Sequence, residues 1–525
     1  MKKKATKLTA LITSALFLLC SCQETLPPSE TIKNGNFGGI QFETSESVQT
    51  AAPIPEYEIV SRSSTEETEI IQEESGISDT AVSDTTTVKE TTASSATTET
   101  TTSETTASVS ATTPETTVQT TTTEKTTIQT TTKETTTTTE ATTAETTTAL
   151  PETEAEPVVS APSGEVHGVW ISYLEVSTLL KGKSEADFRT AVKKIYSNCV
   201  SLGINTVYVH ARAFGDAFYD SDLFPFTKYI SGDIGVKVNY DPYEILVSEA
   251  RKQGLSFHAW INPLRLCTAE DMKLVKSGYT MRDWYDNPDS KGKYIVNVGG
   301  TWYLNPAYDE TIQLVCDGVE EILENYDVDG IHIDDYFYPT TDASFDSAAY
   351  SASGYSSLSS FRINNCNKLV KAIYNTVHSC SANAIFGAST QGSFENNLNQ
   401  LYADAEAWCK GGYVDYFAPQ IYYGFNNTAQ PFEKCTDTWV NLVKGTDVKL
   451  YIGLAVYKIG KEDTWAGNGV WEWCNTETML KRQTEYARKK GCDGIVLYSY
   501  NYLFTSGYVS TAINNEIANL KPLLK

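Results

Sequence analysis

From about residue 163 to its end, the sequence predicts an α/β fold, a (β/α)8 TIM barrel, and three observations predict it. Short runs rich in β-branched and aromatic residues alternate with longer helical patterns, eight of each in order. The runs read as almost continuously hydrophobic, which suits parallel strands covered on both faces. No glycine-rich loop of the GxGxxG or GxxxxGK kind follows any run, which argues against an open doubly wound sheet.

The first run is EVHGVWISYLE (165–175), followed by an amphipathic stretch near 184–200. INTVYVHARA (204–213) is second, with a long loop and the helical DPYEILVSEARKQG (241–254) behind it. LSFHAWINPLR (255–265) is third; a long excursion leads to the helical pattern at 308–326. DGIHIDDY, beginning at residue 329, is fourth, with a helix near 357–379. NAIFGASTQG (383–392) and a helix near 397–410 follow, then VDYFAPQIYYG (414–424) and a helix near 432–444. VKLYIGLAVY (448–457) precedes a helix near 475–490, and DGIVLYSYNY (493–502) precedes the last, near 507–523. Helices ending at Leu202-Gly203, Gln253-Gly254 and Lys490-Gly491 have the glycine that a left-handed C-terminal turn favours.

The chain of 525 residues divides by composition into three parts. MKKKATK and LTALITSALFLL read as the basic and apolar regions of an export signal, too short to span a bilayer permanently. LCSC (19–22) follows, so residues 1–21 are expected as signal peptide. Residues 22–162 are dominated by Thr, Glu, Ser and Ala and nearly lack aromatics, while all nine Trp lie beyond residue 163. Such a segment buries too little apolar surface to offset its chain entropy and is expected to be a disordered linker. A coil of about 140 residues has an r.m.s. span of about 65 Å. Residues 163–525 are expected to form the barrel.

The net charge of −25 argues against nucleic acid or an anionic membrane surface as the main partner. Of 11 cysteines, nine lie in the barrel region, scattered singly and without CxxC spacing. That is neither a disulfide framework nor a zinc site, and no metal or cofactor motif is present. The sequence leaves the oligomeric state open.

A barrel of this kind carries its site at the C-terminal ends of its strands. Two adjacent aspartates, Asp334 and Asp335, end the fourth run. Alternation puts His332 and Asp334 on the inward face and Ile331 and Ile333 on the outward one. The bland readings are an ion pair of Asp334 with Arg212 or Arg265, and a loop or helix-capping role for Asp335. Other strand ends supply His210, Arg212 and Asp216; Trp260, Asn262 and Arg265; Gln391 and Glu395; Gln420, Tyr422 and Tyr423; Ser499, Tyr500 and Asn501. Aromatic faces mixed with Asn, Gln and Arg donors suit a polyhydroxylated ring. Glycoside hydrolysis usually needs two carboxyl groups. Asp334 is the expected nucleophile or charge-stabilising carboxylate, with Glu395, Asp216 and Asp335 as candidate proton donors in that order.

HGVWISYLE, GINTVYVHARAFGDAFYDSDLFPF, GLSFHAWINPLR, YLNPAYDE, VDGIHIDDYFYP and YFAPQIYYG together resemble the bacterial family 10 glycosyl-hydrolase-like barrels over nearly all of 165–505. The resemblance implies a TIM barrel, export from the cytoplasm and carbohydrate hydrolysis, with enzymes acting on peptidoglycan glycan strands among similar proteins. It places the nucleophile of amylase-like barrels at Asp334; Gln420 stands where those barrels carry an acid on strand six. LCSC similarly resembles a lipobox, which implies lipidation of Cys22 and a membrane-anchored lipoprotein at the bacterial surface. Two other classes stand beside a polysaccharide-cleaving hydrolase. One is a metal-dependent hydrolase using His167, His210, His258 and His332, against which their single, uneven spacing counts. The other is a non-catalytic carbohydrate-binding barrel, against which the inward Asp334 counts.

Overall fold

The computed structural model describes residues 164–525. The signal, Cys22 and the linker lie outside the described residues.

Eight parallel strands close a barrel: β1 (Val166–Ile171), β2 (Thr206–Arg212), β3 (Ser256–Ile261), β4 (Gly330–Ile333), β5 (Ile385–Ala388), β6 (Tyr416–Phe417), β7 (Lys449–Ala455) and β8 (Gly494–Tyr498). Each strand pairs with its neighbours in chain order, and β1 pairs with β8 to close the ring. The expected alternation therefore holds. The long excursion after β3 folds as well: Arg265–Thr268, Thr301–Leu304 and Ile295–Val298 form a small antiparallel sheet.

Strand ends differ from the sequence reading in informative places. The third run stops at Ile261, because Asn262, Pro263 and Leu264 turn the chain into the small sheet. The first run stops at Ile171, where Ser172 and Glu175 form a reciprocal capping box that starts the helix Tyr173–Leu180. The eighth stops at Tyr498, and Tyr500–Phe504 is helical. The helix expected near 397–410 is two short ones, Phe394–Gln400 and Ala405–Gly411.

Outward side chains such as Val169, Val207, Phe257, Ile331, Phe386, Ile452 and Leu497 enter the main core beneath the helices. Inward ones, among them Trp170, Tyr208, Trp260, Tyr416 and Tyr451, fill a second core inside the barrel. Rings this large fit because facing positions are glycine. A Cβ on Gly387 would stand 2.2 Å from Cζ of Tyr416, and one on Gly168 would stand 2.7 Å from Cε2 of Tyr208. All nine cysteines of this region are thiols, and six of them are buried.

Gly387→Ala is thus an overpacking change against a ring that cannot shift. Tyr416 is fully buried, and its hydroxyl is hydrogen-bonded to both His258 and His332. A loss of about 1–3 kcal/mol is expected, read as a lowered thermal midpoint. An unchanged midpoint would show that the Tyr416 ring has room to move.

Candidate active site

β4 ends at Ile333, and the two following aspartates splay toward opposite neighbours. Asp334 turns toward β3. Its Oδ2 accepts from Trp260 Nε1 at 3.1 Å and from Asn262 Nδ2 at 3.5 Å, while Oδ1 accepts from Tyr336 N at 3.3 Å. Asp335 turns toward β5 and β6. Its Oδ1 accepts from Gln420 Nε2 at 3.0 Å and its Oδ2 from Gln391 Nε2 at 3.2 Å. Asp334 is 2% exposed, and Asp335 is partly open to solvent. Asp335 is therefore neither a helix cap nor a plain loop carboxylate.

Burial pushes the Asp334 carboxyl up to about 7, and the like charge of Asp335 adds to that. The Arg265 charge, the Tyr336 amide and the Trp260 N–H pull the other way without cancelling it. Burial also raises Asp335, but the Gln420 and Gln391 amides hold its ionised form and oppose the rise. Of the two, Asp334 is pushed toward its protonated form with no amide pair to oppose it, while two side-chain amides favour the ionised form of Asp335.

The walls of the site are fixed from behind. The Arg265 guanidinium lies between the rings of Phe214 and Tyr336, 4.2 and 3.9 Å from their centroids, and donates to Ala213 O. No ion pair joins it to Asp334 among the described residues. The His210 ring stacks on Trp260 with centroids 3.5 Å apart, and its Nδ1 accepts from Tyr173 N at 3.0 Å. That acceptor role puts the ring proton on Nε2, a buried donor with no hydrogen-bond partner. Burial, with help from Arg265 and His332, lowers the His210 pKa and keeps the ring neutral.

One layer down, His332 Nε2 accepts from Trp170 Nε1 at 3.1 Å, and its Nδ1 meets Tyr416 OH at 2.9 Å. His332 is thus a buried support beneath Asp334. Tyr422 lies on the Asp335 side and packs against Tyr457 and Tyr498 at 5.8 and 5.9 Å. Burial first, then those rings and Asp335, raise its phenol.

The structure therefore brings together Asp334, Asp335, His210, Trp260, Asn262, Arg265, Gln420 and Tyr422, with His332 below. It places four expected residues elsewhere. Arg212 leaves the inward face because the register shifts between His210 and Arg212; its guanidinium lies over Phe224, against Gly318 of the helix Asp309–Asn325. Asp216 turns back on its own loop, where Oδ1 accepts from Ala213 N at 3.3 Å and Phe214 N at 2.9 Å. Asn501 sits in the helix after β8, and its backbone N–H donates to Glu175 Oε1. Glu395 is exposed in the first turn of Phe394–Gln400. The sequence reading missed Tyr336, which directly follows the paired acids, and Glu175, whose signal is the S-x-x-E spacing of a capping box. His167, far from this site, pairs with Glu165 and Gly203 O, and no cluster of three metal-ligating side chains occurs among the described residues.

Residues 165–471 match the family model described as "Glycosyl hydrolase-like 10". The chain is 33% identical over 319 residues to "Glycosyl hydrolase YngK" of Bacillus subtilis (strain 168), covering 56% of this chain and 61% of that protein. It is 31% identical over 296 residues to "Glycosyl hydrolase DigH" of Escherichia coli (strain K12), covering 51% of this chain and 66% of that one. The chain thus spans less than two-thirds of either relative. The solved glycoside hydrolase domain of PgaB (BpsB) from Bordetella bronchiseptica aligns with 69% of this chain and 99% of its own at a TM-score of 0.45 and 14% identity.

The Asp334 carboxyl keeps its proton to about pH 7 in the folded chain, against an ordinary value of 3.8. Between those values the folded state binds more protons than the unfolded one. The stability this group contributes is whole below about pH 4 and is lost as pH rises through about 7. Asp334→Asn, which never ionises, is expected to match the wild type in stability at pH 4 and exceed it by about 4 kcal/mol at pH 8. Chemical denaturation at both pH values checks this; an equal difference at the two would refute the buried-proton assignment.

Proposed function

The chain belongs to the glycosyl hydrolase-like 10 family, and we propose that it hydrolyses O-glycosidic bonds in a polysaccharide outside the cytoplasm. The observation that carries this reading is the pair of carboxyls on one strand end, the buried Asp334 pushed toward its protonated form and Asp335 gripped by two amide donors that favour its anion. Hydrolysis of an acetal needs a proton on the leaving oxygen and negative charge near the anomeric carbon, where positive charge develops.

Asp334 supplies the proton in this mechanism, because a group still protonated near pH 7 can donate at physiological pH. A nucleophile has to be ionised, so the role expected from the sequence passes from Asp334 to its neighbour. Asp335, gripped by Gln391 and Gln420, opposes the charge of the oxocarbenium-like transition state. Trp260 and Asn262 aim Asp334, and the partly exposed Tyr336 ring offers apolar surface to a sugar. The free Nε2–H of His210 is a neutral donor for a sugar hydroxyl. Neither Asp216, which accepts from its own backbone, nor the exposed Glu395 is required.

The substrate is best sought outside the membrane. The basic and apolar start of the chain, followed by LCSC, supports export and lipidation at Cys22. Peptidoglycan glycan strands are the nearest polysaccharide to a protein tethered there, and they are the substrate we favour.

The test is reducing-end release by the chain from peptide-free peptidoglycan strands and from plant and algal polysaccharides. Asp334→Asn is expected to lower the rate about 10²–10⁴-fold. In the wild type, activity should fall as pH rises through about 7, because Asp334 must hold its proton. A rate that climbs through that pH would make Asp334 the ionised group, and silence on every substrate would leave a binding barrel.

A further inference from the structure

Two indoles stand in solvent on this molecule: Trp465 is 64% exposed and Trp471 52%. Both lie on the segment between β7 and the helix Met479–Lys489. That segment leaves the C-terminal end of a barrel strand, so it shares a face with Asp334 and Asp335.

The segment is held firmly. Lys458 Nζ donates to Asp463 Oδ2 at 2.7 Å, and Asp463 N donates to Val470 O at 2.9 Å, which folds the loop onto itself. Three bonds then tie it to the loop after β6. Asn426 N donates to Glu472 Oε2 at 2.8 Å, Asn468 N to Thr428 Oγ1 at 2.9 Å, and Thr428 N to Ala466 O at 3.0 Å. Trp473 is buried beneath as an anchor. Within this run of tight turns Trp471 faces out where Trp473 faces in. A loop fixed this well could have folded its largest apolar groups inward, at about 25 cal/mol per Å2 of apolar surface, and does not.

Aromatic rings also lead from the site toward this loop. Tyr422 lies within electrostatic reach of Asp335, Tyr457 follows at 5.8 Å and Tyr502 at a further 6.0 Å. Tyr457 sits at the root of the tryptophan loop, and Lys461 from that loop lies over the Tyr502 ring.

We propose that Trp465 and Trp471 form a stacking platform for a polysaccharide, holding sugar units of the same chain that is cut at Asp334. The proposal rests on the glycosidase reading and extends it to units beyond the cleaved bond. A pyranose presents an apolar C–H face and a rim of hydroxyls. An exposed indole covers the face and leaves the rim in water.

Trp465→Ala and Trp471→Ala are compared with the wild type and with Val200→Ala, an exposed apolar change on the outer helix Glu185–Leu202. Each tryptophan variant is expected to lower kcat/KM on the cleaved polymer, relative to its shortest cleaved oligosaccharide, by about tenfold. Val200→Ala should leave that ratio alone. Co-sedimentation of the same proteins with peptidoglycan sacculi, chitin and cellulose gives a second readout. Hydrolysis with an unchanged ratio in both variants would overturn the platform and spare the glycosidase. Tryptophan-dependent sedimentation without any hydrolysis would keep the platform and overturn the glycosidase. Neither hydrolysis nor sedimentation would overturn both.

Discussion

Two carboxyl groups on consecutive residues, one buried and one only partly open to solvent, cannot both ionise without a repulsion that bulk water screens incompletely. The surroundings decide which of them keeps a proton. Asp335 receives one amide N–H on each oxygen, a geometry that serves the anion. Asp334 receives an indole N–H, a longer amide contact and one backbone N–H, and it is almost wholly buried. Arg265 tempers the repulsion without pairing, because its guanidinium is occupied by two aromatic faces and a backbone carbonyl. The asymmetry between chemically identical side chains is therefore built from four neighbouring strand ends.

That arrangement depends on the layer beneath it. Indole N–H is only a donor, so His332 Nε2 must accept from Trp170, and its proton sits on Nδ1. Nδ1 then donates to Tyr416 OH, and the Tyr416 hydroxyl proton is left for Nδ1 of His258. Each tautomer follows from the one above it. Burial lowers both histidines, His258 to about 3, so the chain stays neutral where the acids above it titrate. Asp334 is thus shifted by its own burial and by Asp335, with no cation directly underneath.

The barrel and the paired acids were legible because they rest on short-range regularities. Period-two alternation correctly separates His332 from Ile331 and Ile333, and the run of eight β/α units needs only composition and length. What failed was alternation carried past its end. One register shift after His210 turns Arg212 to the outside, and the eighth strand becomes a helix before Asn501. Asp216 failed differently: a carboxylate in a loop finds backbone amides within three residues, a local bond that strand parity does not consider. The exposed tryptophans were invisible for a third reason. Aromatic residues in a sequence are more often core, and only the fold shows that Trp473 is buried while Trp465 and Trp471 are not.

Closure of the barrel accounts for the remaining buried carboxylate at the mouth. β1 and β8 are far apart in sequence, and their pairing is the seam at which the ring either meets or stays open. Glu175, in the helix after β1, accepts from the Ser499 hydroxyl and the Asn501 backbone N–H after β8, and from Ser172 on its own side. At the opposite end of the seam Glu165 receives Arg488 through two nitrogens and meets His167. Carboxylates therefore clasp the same seam at both ends. The clasp also bears on the site, because Trp170 and Tyr498 stand on the two strands it joins, 6.0 Å apart, and Trp170 is the donor that sets the His332 tautomer. A loosened seam reaches Asp334 through that indole, although Glu175 itself touches neither Asp334 nor Asp335 among its hydrogen bonds.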